Sequence, residues 1–203
     1  MKNIIFYHQK GGVGKTTLAY NFIKYALEFK DYQKVYFEDL DTQESLKEEI
    51  EDSPYPSLKN AISYSNQELS SSDLLISDYP GATSSEILKK LAQENIFSKK
   101  IVIVPVVFKK KELAVISKIA EYFTSNWYIL QNKVQKENIL TAKQLLQKEL
   151  GLKVINSVVK TSLLLEQPEK ELSTLGYKLR LGKLKKVLEE PFEEIFSILN
   201  YAL

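Results

Sequence analysis

The stretch that most constrains this chain is KIVIVPV, Lys100–Val106, an apolar run with almost no polar interruption. A strand with one face in water alternates apolar and polar residues. This one does not, so it needs cover on both faces, as central strands of parallel sheets have. Shorter apolar segments precede and follow it at Asn3–Tyr7, Lys34–Asp39, Asp73–Asp78, Trp127–Asn132 and Leu152–Val159. Helical spacing fills the intervals: Thr16–Lys30, with Leu18, Phe22, Tyr25, Ala26 and Phe29 on one side, then Ser84–Glu94, Lys111–Phe123 and Asn138–Leu150 ended by Gly151. A last helix is expected over Leu184–Leu203, with a break near Pro191. Strands alternating with helices predict a three-layer α/β fold, a mostly parallel central sheet flanked by helices. Glu51–Ser57 and Ser63–Ser72 read as loops too short to separate domains, and no internal repeat is visible. Residues 1–203 therefore read as one domain.

Composition removes several chemistries. The chain has no cysteine, which excludes disulfides and thiolate-held metal or iron–sulfur centres. Its one histidine, His8, argues against a histidine metal site or a Ser-His-Asp triad, and a packed or surface role is the better reading for it. Trp127 is expected in the core. Net charge is +2, so a nucleic acid or membrane partner would have to be met by a local patch. No signal peptide and no apolar run of bilayer length is present, and a cytoplasmic, nucleoid-associated location is expected. Arginine occurs once, at Arg180.

GGVGKTT, Gly11–Thr17, lies between a predicted strand and a predicted helix. Glycines there turn the backbone tightly and aim N–H groups inward, and the helix N-terminus adds its positive end. The arrangement reads as a phosphate cradle for ATP or ADP, with Lys15 reaching the β- and γ-phosphates and Thr16 ligating Mg²⁺. The general pattern G-x-x-x-x-G-K-[ST] is not met, because Gln9 stands where its first glycine belongs.

KGGVGKTT, Lys10–Thr17, resembles the deviant Walker A motif of the ParA/MinD ATPases. The resemblance covers nearly the whole chain. VYFEDLDTQES, Val35–Ser45, is similar to that family's second strand and switch I. DLLISDYPGA, Asp73–Ala82, is similar to its Walker B and switch II segment. IVIVPV, Ile101–Val106, resembles the strand before the nucleotide-base region, and Leu150–Tyr177 the late strand, loop and helix. With no DNA-binding extension before the loop, the chain looks most like the small plasmid-type ParA proteins.

The resemblance implies roles by position. Lys10 would reach the phosphates of the opposite subunit in an ATP-sandwich homodimer, supplying in trans what other NTPases take from an arginine finger. Lys15 would bind phosphate in cis, Thr17 the α-phosphate, and Gly11, Gly12, Val13 and Gly14 would give backbone N–H contacts. Asp41 would orient the attacking water. Asp39 would support the Mg²⁺ site from the same strand face, and Asp78 would hold Mg²⁺. Taken singly, each aspartate also fits a turn former or helix cap. Asn132 reads equally as an adenine contact or a polar strand-end residue. Thr42 and Tyr79-Pro80-Gly81 depart from the family's usual residues, so slow, partner-stimulated hydrolysis is expected.

Three uses of such an ATPase remain open. A partition ATPase would bind DNA nonspecifically and answer to a centromere-binding or ParB-like protein. Its densest basic stretch is Lys178, Arg180, Lys183, Lys185 and Lys186, which reads equally as a solvated helix start, and Lys109–Lys111 is a weaker candidate. A MinD-like membrane ATPase needs an amphipathic tail. Phe192, Ile195, Phe196 and Leu199 supply the spacing, but Glu189, Glu190, Glu193 and Glu194 oppose an anionic surface, so stable membrane binding is not expected. A metabolic ligase or a nucleotide-gated dimerisation module on the same fold is the third.

Overall fold

The computed structural model describes residues 1–81, 89, 97, 100–107, 109–134, 144, 146–148, 151–160, 162, 165 and 174–201. The predicted helices at Ser84–Glu94 and Asn138–Leu150 fall largely outside that set. In chain order the described elements are β1 (Lys2–Phe6), α1 (Lys15–Phe29), β2 (Val35–Asp39), α2 (Ser45–Glu51), a 3₁₀ turn (Pro56–Asn60), β3 (Ala61–Ser63), β4 (Leu74–Asp78), β5 (Ile101–Val107), α3 (Lys110–Ile119), a second 3₁₀ turn (Ala120–Tyr122), β6 (Trp127–Val134), β7 (Val154–Lys160) and α4 (Thr174–Tyr201).

The seven strands form one sheet in the order β3-β2-β4-β1-β5-β6-β7, and every pairing is parallel. β5 is buried except at its last residue, as its continuous apolar run requires. Pro105 lies in this central strand where its pairing with β1 stops. β1 pairs with β5 only through Ile103, whose carbonyl also accepts the Tyr7 N–H. Pro105 stands two residues on, where the next N–H toward β1 would come, and the β1–β5 ladder ends there for want of a donor.

Alternation along β1 sends Ile4 and Phe6 to one face and Ile5 and Tyr7 to the other. The first face packs on α1 and α4. The second gathers Val102, Val104, Ile116, Ile119 and Trp127. Trp127 is thus in the core, as expected.

Two expectations are corrected. The last helix begins at Thr174, ten residues before the expected start, and runs unbroken through Pro191. Phe192 and Phe196 lie on Phe22 at 5.0 and 4.7 Å, and Ile195 and Leu199 are fully buried. Burying those side chains offsets the roughly 3 kcal/mol that an interior proline costs a helix. The expected loops Glu51–Ser57 and Ser63–Ser72 overlap the end of α2, the start of the first 3₁₀ turn and the end of the edge strand β3, and neither α2 nor β3 is among the expected elements. α2 has only two buried apolar residues, Leu46 and Ile50, and β3 has three residues in all, so neither leaves a periodic trace.

β7 carries a register shift opposite Ile129–Gln131. The amides of Asn156 and Ser157 both donate to the carboxylate of Glu194 on α4. That bond pair ties the irregular edge strand to the helix.

Candidate functional site

The register brings the C-terminal ends of three strands level: Phe6 opposite Asp78, and Asp78 opposite Asp39. The loop leaving β1 emerges beside both aspartates, at the carboxyl edge of the sheet where β1 lies between the two directions of strand succession.

The loop is held from below by His8. This residue is fully buried, and its Nδ1 accepts the Lys10 N–H at 2.9 Å. Nothing in the local sequence pattern reveals that bond. Gly12 and Gly14 have φ of 76° and 92°, a region that side chains with a Cβ avoid. Gly14 is the N-cap of α1 and offers no side-chain cap, so the first N–H groups of α1 face the loop with no side-chain cap to receive them. Lys10, Gly11 and Gly12 are exposed, while Val13 and Lys15 are buried.

Lys15 follows directly, buried within this loop. A methyl group on Gly81 would lie 3.3 Å from its ammonium nitrogen and 3.5 Å from the Gly11 amide nitrogen. The Asp78–Gly81 segment is therefore laid against the phosphate loop.

Thr16 Oγ1 donates to Asp78 Oδ2 at 2.6 Å. Asp78 is 1% exposed, and its Oδ1 has no hydrogen-bond partner among the described residues. Burial pushes its carboxyl up to about 7, against the Thr16 bond and the Lys15 charge, and Asp39 and Asp41 add to the rise. A hydroxyl and a carboxylate with one oxygen to spare are hard ligands. They suit Mg²⁺, which takes one or two carboxylates and completes its shell with phosphate and water. Among the described residues, no group of three or more His, Cys, Asp and Glu side chains could hold a metal alone.

Asp39 is placed differently from what strand alternation suggests. Its Oδ2 accepts the Leu46 and Lys47 amides at 2.8 and 3.1 Å, and its Oδ1 accepts the Asp41 amide at 3.2 Å. It caps the start of α2 and shapes the turn between. β2 ends at Asp39, so Asp41 sits in that turn rather than on the strand face, its Oδ1 accepting the Gln43 amide at 3.2 Å. Thr17 is half-buried, and its carbonyl accepts from Asn21 Nδ2 at 2.7 Å.

Asn132 is 3% exposed at the end of β6. Its Nδ2 donates to the Val13 carbonyl at 2.7 Å, and its Oδ1 accepts the Lys133 amide at 2.9 Å. Both ends of the amide are engaged within the chain, so Asn132 braces the phosphate loop from the far side of β5.

The basic stretch lies on α4, away from this edge. Lys178, Lys183 and Lys186 are exposed, and at 100° per residue they fall within an arc of about 140°. Arg180 is half-buried. Lys185 lies over the Phe29 ring at 4.9 Å and 3.8 Å from Glu189. Of the Lys109–Lys111 group, Lys109 is exposed, and the side chains of the other two lie outside the described residues. Of the tail acids, Glu193 bonds Tyr25 and Lys30, and Glu194 bonds β7. The apolar face of that tail is packed on α1. Among the described residues no helix is long and apolar enough to cross a membrane.

Residues 4–175 match the family described as the CobQ/CobB/MinD/ParA nucleotide binding domain. A sequence comparison with curated proteins finds no match. Among solved structures, the fold is similar to the MinD cell division protein of Aquifex aeolicus, at 13% identity and a TM-score of 0.66 over 100% of this chain and 98% of that one. It is similar to pNOB8 ParA bound to nonspecific DNA, at 14% identity and 0.60 over 98% and 99%. It is also similar to a Cyanothece McdA variant in complex with ATP, at 19% identity and 0.52 over 93% and 96%. With its loop, sheet order and family match in agreement, this chain belongs to the ParA/MinD family of deviant Walker A P-loop ATPases.

Proposed function

We propose that this protein is a slow Mg²⁺-dependent ATPase that closes on ATP as a homodimer, binds DNA without sequence preference and drives plasmid or chromosome partition. A centromere-binding, ParB-like partner stimulates its hydrolysis. The observation that carries the ATPase reading is the Thr16–Asp78 pair, with Asp78 Oδ1 unpartnered among the described residues and Lys15 beside it under a glycine loop.

Gly11, Gly12, Val13 and Gly14 give backbone N–H groups to the phosphates, Lys15 neutralises them, and Thr17 holds the α-phosphate. Thr16 and Asp78 hold Mg²⁺, with Asp39 supporting them through the turn it caps; the ion, when bound, supplies positive charge to the phosphate oxygens. Asp41 orients the attacking water. Lys10, exposed at the loop's outer edge, serves the partner protomer's nucleotide. Asn132 acts on the nucleotide by bracing Val13, and an adenine contact stands beside that. The DNA reading draws support from the exposed Lys178, Lys183 and Lys186, with Arg180 and Lys185 at their margins, and from a structural neighbour bound to nonspecific DNA.

The test is the ATPase rate with and without nonspecific DNA for the native chain, Lys10→Ala and Asp41→Ala. Lys10→Ala should abolish hydrolysis and keep nucleotide binding; a full rate in that variant refutes the two-subunit site. Replacing Lys183, Lys185 and Lys186 together with glutamate should remove salt-sensitive DNA binding. Unchanged binding would sink the DNA assignment.

A further inference from the structure

Tyr79 is the departure from the family pattern with the most structure around it. Neighbouring residues of an extended chain point to opposite faces. Asp78 faces Thr16 and the phosphate loop. The Tyr79 ring goes the other way, edge-on to Tyr7 with centroids 6.4 Å apart and tilted on Phe97 at 5.8 Å. Tyr7 and Phe97 in turn meet Trp127 at 5.7 and 5.1 Å, and Phe123 stacks on Trp127 at 4.5 Å. The backbone on either side of the ring is also held. The Tyr79 amide donates to the Phe6 carbonyl at 3.2 Å, and the Asp78 carbonyl accepts the Leu40 amide at 3.0 Å. Two residues on, Gly81 lies against Lys15 and Gly11.

We infer that Tyr79 is a positioning residue, whose ring, set in the aromatic cluster, holds Asp78 and Gly81 on the phosphate loop before any nucleotide arrives. A threonine at this position would carry no ring to reach Tyr7 or Phe97. A strand end fixed in this way presents Asp78 to Mg²⁺ and nucleotide without first being ordered. Tyr79 touches neither, and acts through Asp78. The inference rests on the ATPase reading for what Asp78 binds, but not for whether the ring anchors the segment.

Two measurements separate these. The first is amide hydrogen exchange of the nucleotide-free protein. In Tyr79→Thr, exchange at the Leu40 amide and at the substituted position's own amide should quicken by about tenfold while β1 and β5 keep their protection, and Tyr79→Phe should match the native chain. The second is binding of a fluorescent ATP analogue titrated with Mg²⁺. Tyr79→Thr should raise the Mg²⁺ concentration for half-maximal binding by about tenfold and leave binding in EDTA unchanged, again with Tyr79→Phe restoring the native value. If Tyr79→Thr does not fold, Tyr79→Leu is read by the same two criteria. A uniform gain in exchange across the sheet with an unchanged Mg²⁺ requirement makes the ring a packing residue only and overturns the inference. So does a Tyr79→Phe variant that fails to restore either readout. A native chain that binds no ATP analogue refutes the ATPase reading, and the exchange experiment, made without nucleotide, still decides the anchor.

Discussion

Asp78 and Glu194 are both carboxylates where a strand meets a helix, and the chain completes one and leaves the other incomplete. Glu194 accepts from the Asn156 amide and side chain at 2.7 and 3.0 Å, and from the Ser157 amide and hydroxyl at 2.9 and 2.9 Å. A carboxylate has about four acceptor positions, so this one is saturated by its own chain. Asp78 is far more buried, yet among the described residues it has one side-chain donor, Thr16, and an oxygen with no partner. An unmade bond on a buried carboxylate costs free energy. The carboxyl of Asp78 responds by holding its proton up to about pH 7. Glu194 is an acid used for architecture. Asp78 is an acid whose capacity awaits something from outside the chain.

The largest effect that would break this contrast is at Lys15. Lys15→Ala should cost about a hundredfold or more in nucleotide affinity, read by titration with a fluorescent nucleotide, because it removes the fixed charge beside Asp78 and the phosphates. Asp78→Asn comes next. It should weaken the Mg²⁺-dependent part of binding by about tenfold to a hundredfold. It should also raise the melting temperature of the nucleotide-free protein at pH 7, since an amide has no ionisation to suppress.

The pH dependence sharpens the same point. Asp78 has a carboxyl raised from 3.8 to about 7 on folding. The unfolded chain releases that proton first, so the folded state binds more protons between those values. Its contribution to stability is fully present below the lower value and is lost as pH rises to the upper one. Urea titrations of the nucleotide-free protein between pH 4 and about 7 should show this fall, and Asp78→Asn should flatten it. Mg²⁺ binding needs the carboxylate, so Mg²⁺ affinity should rise with pH over the same window.

Glu194→Gln should do the reverse of Asp78→Asn. It should lower stability by about 1 kcal/mol, a figure reduced for the partial exposure of the site, and leave nucleotide affinity unchanged. A loss of nucleotide binding there would erase the distinction between the two acids. The smallest effect is expected at Lys185. Its pair with Glu189 is solvent-exposed, and Lys185→Ala should shift stability by less than about 0.5 kcal/mol.

Part of this was legible in the sequence. The Gly11–Thr17 loop could be read because its chemistry lies in consecutive residues between a strand and a helix. β5 could be read because burial on both faces leaves an unbroken apolar run. Asp39 was harder. Its position at a strand end suggested a metal, but its Oδ1 is taken by the Asp41 amide and its Oδ2 by the amides of Leu46 and Lys47, at the start of a helix with too few apolar residues to announce itself. His8 read as a packed or surface residue and Asn132 equally as an adenine contact or a strand-end residue, and both brace the phosphate loop through single bonds that no periodicity encodes. The tail acids read only as a polar face opposing an anionic surface, whereas Glu193 and Glu194 are ties to α1 and β7. The Pro191 break was wrong because aromatic packing on Phe22 outweighs a local propensity.

The sequence by itself determined the α/β class, the phosphate loop and the family, because each is written in contiguous residues or in a local period. Only the tertiary structure decided which groups meet. Thr16 reaches Asp78 across 62 positions and Asn132 reaches Val13 across 119, through a sheet order in which β4 and β5, not β2, flank β1. A hydrogen bond needs its partners within about 3 Å, and strand order and register, which no local pattern states, bring them there.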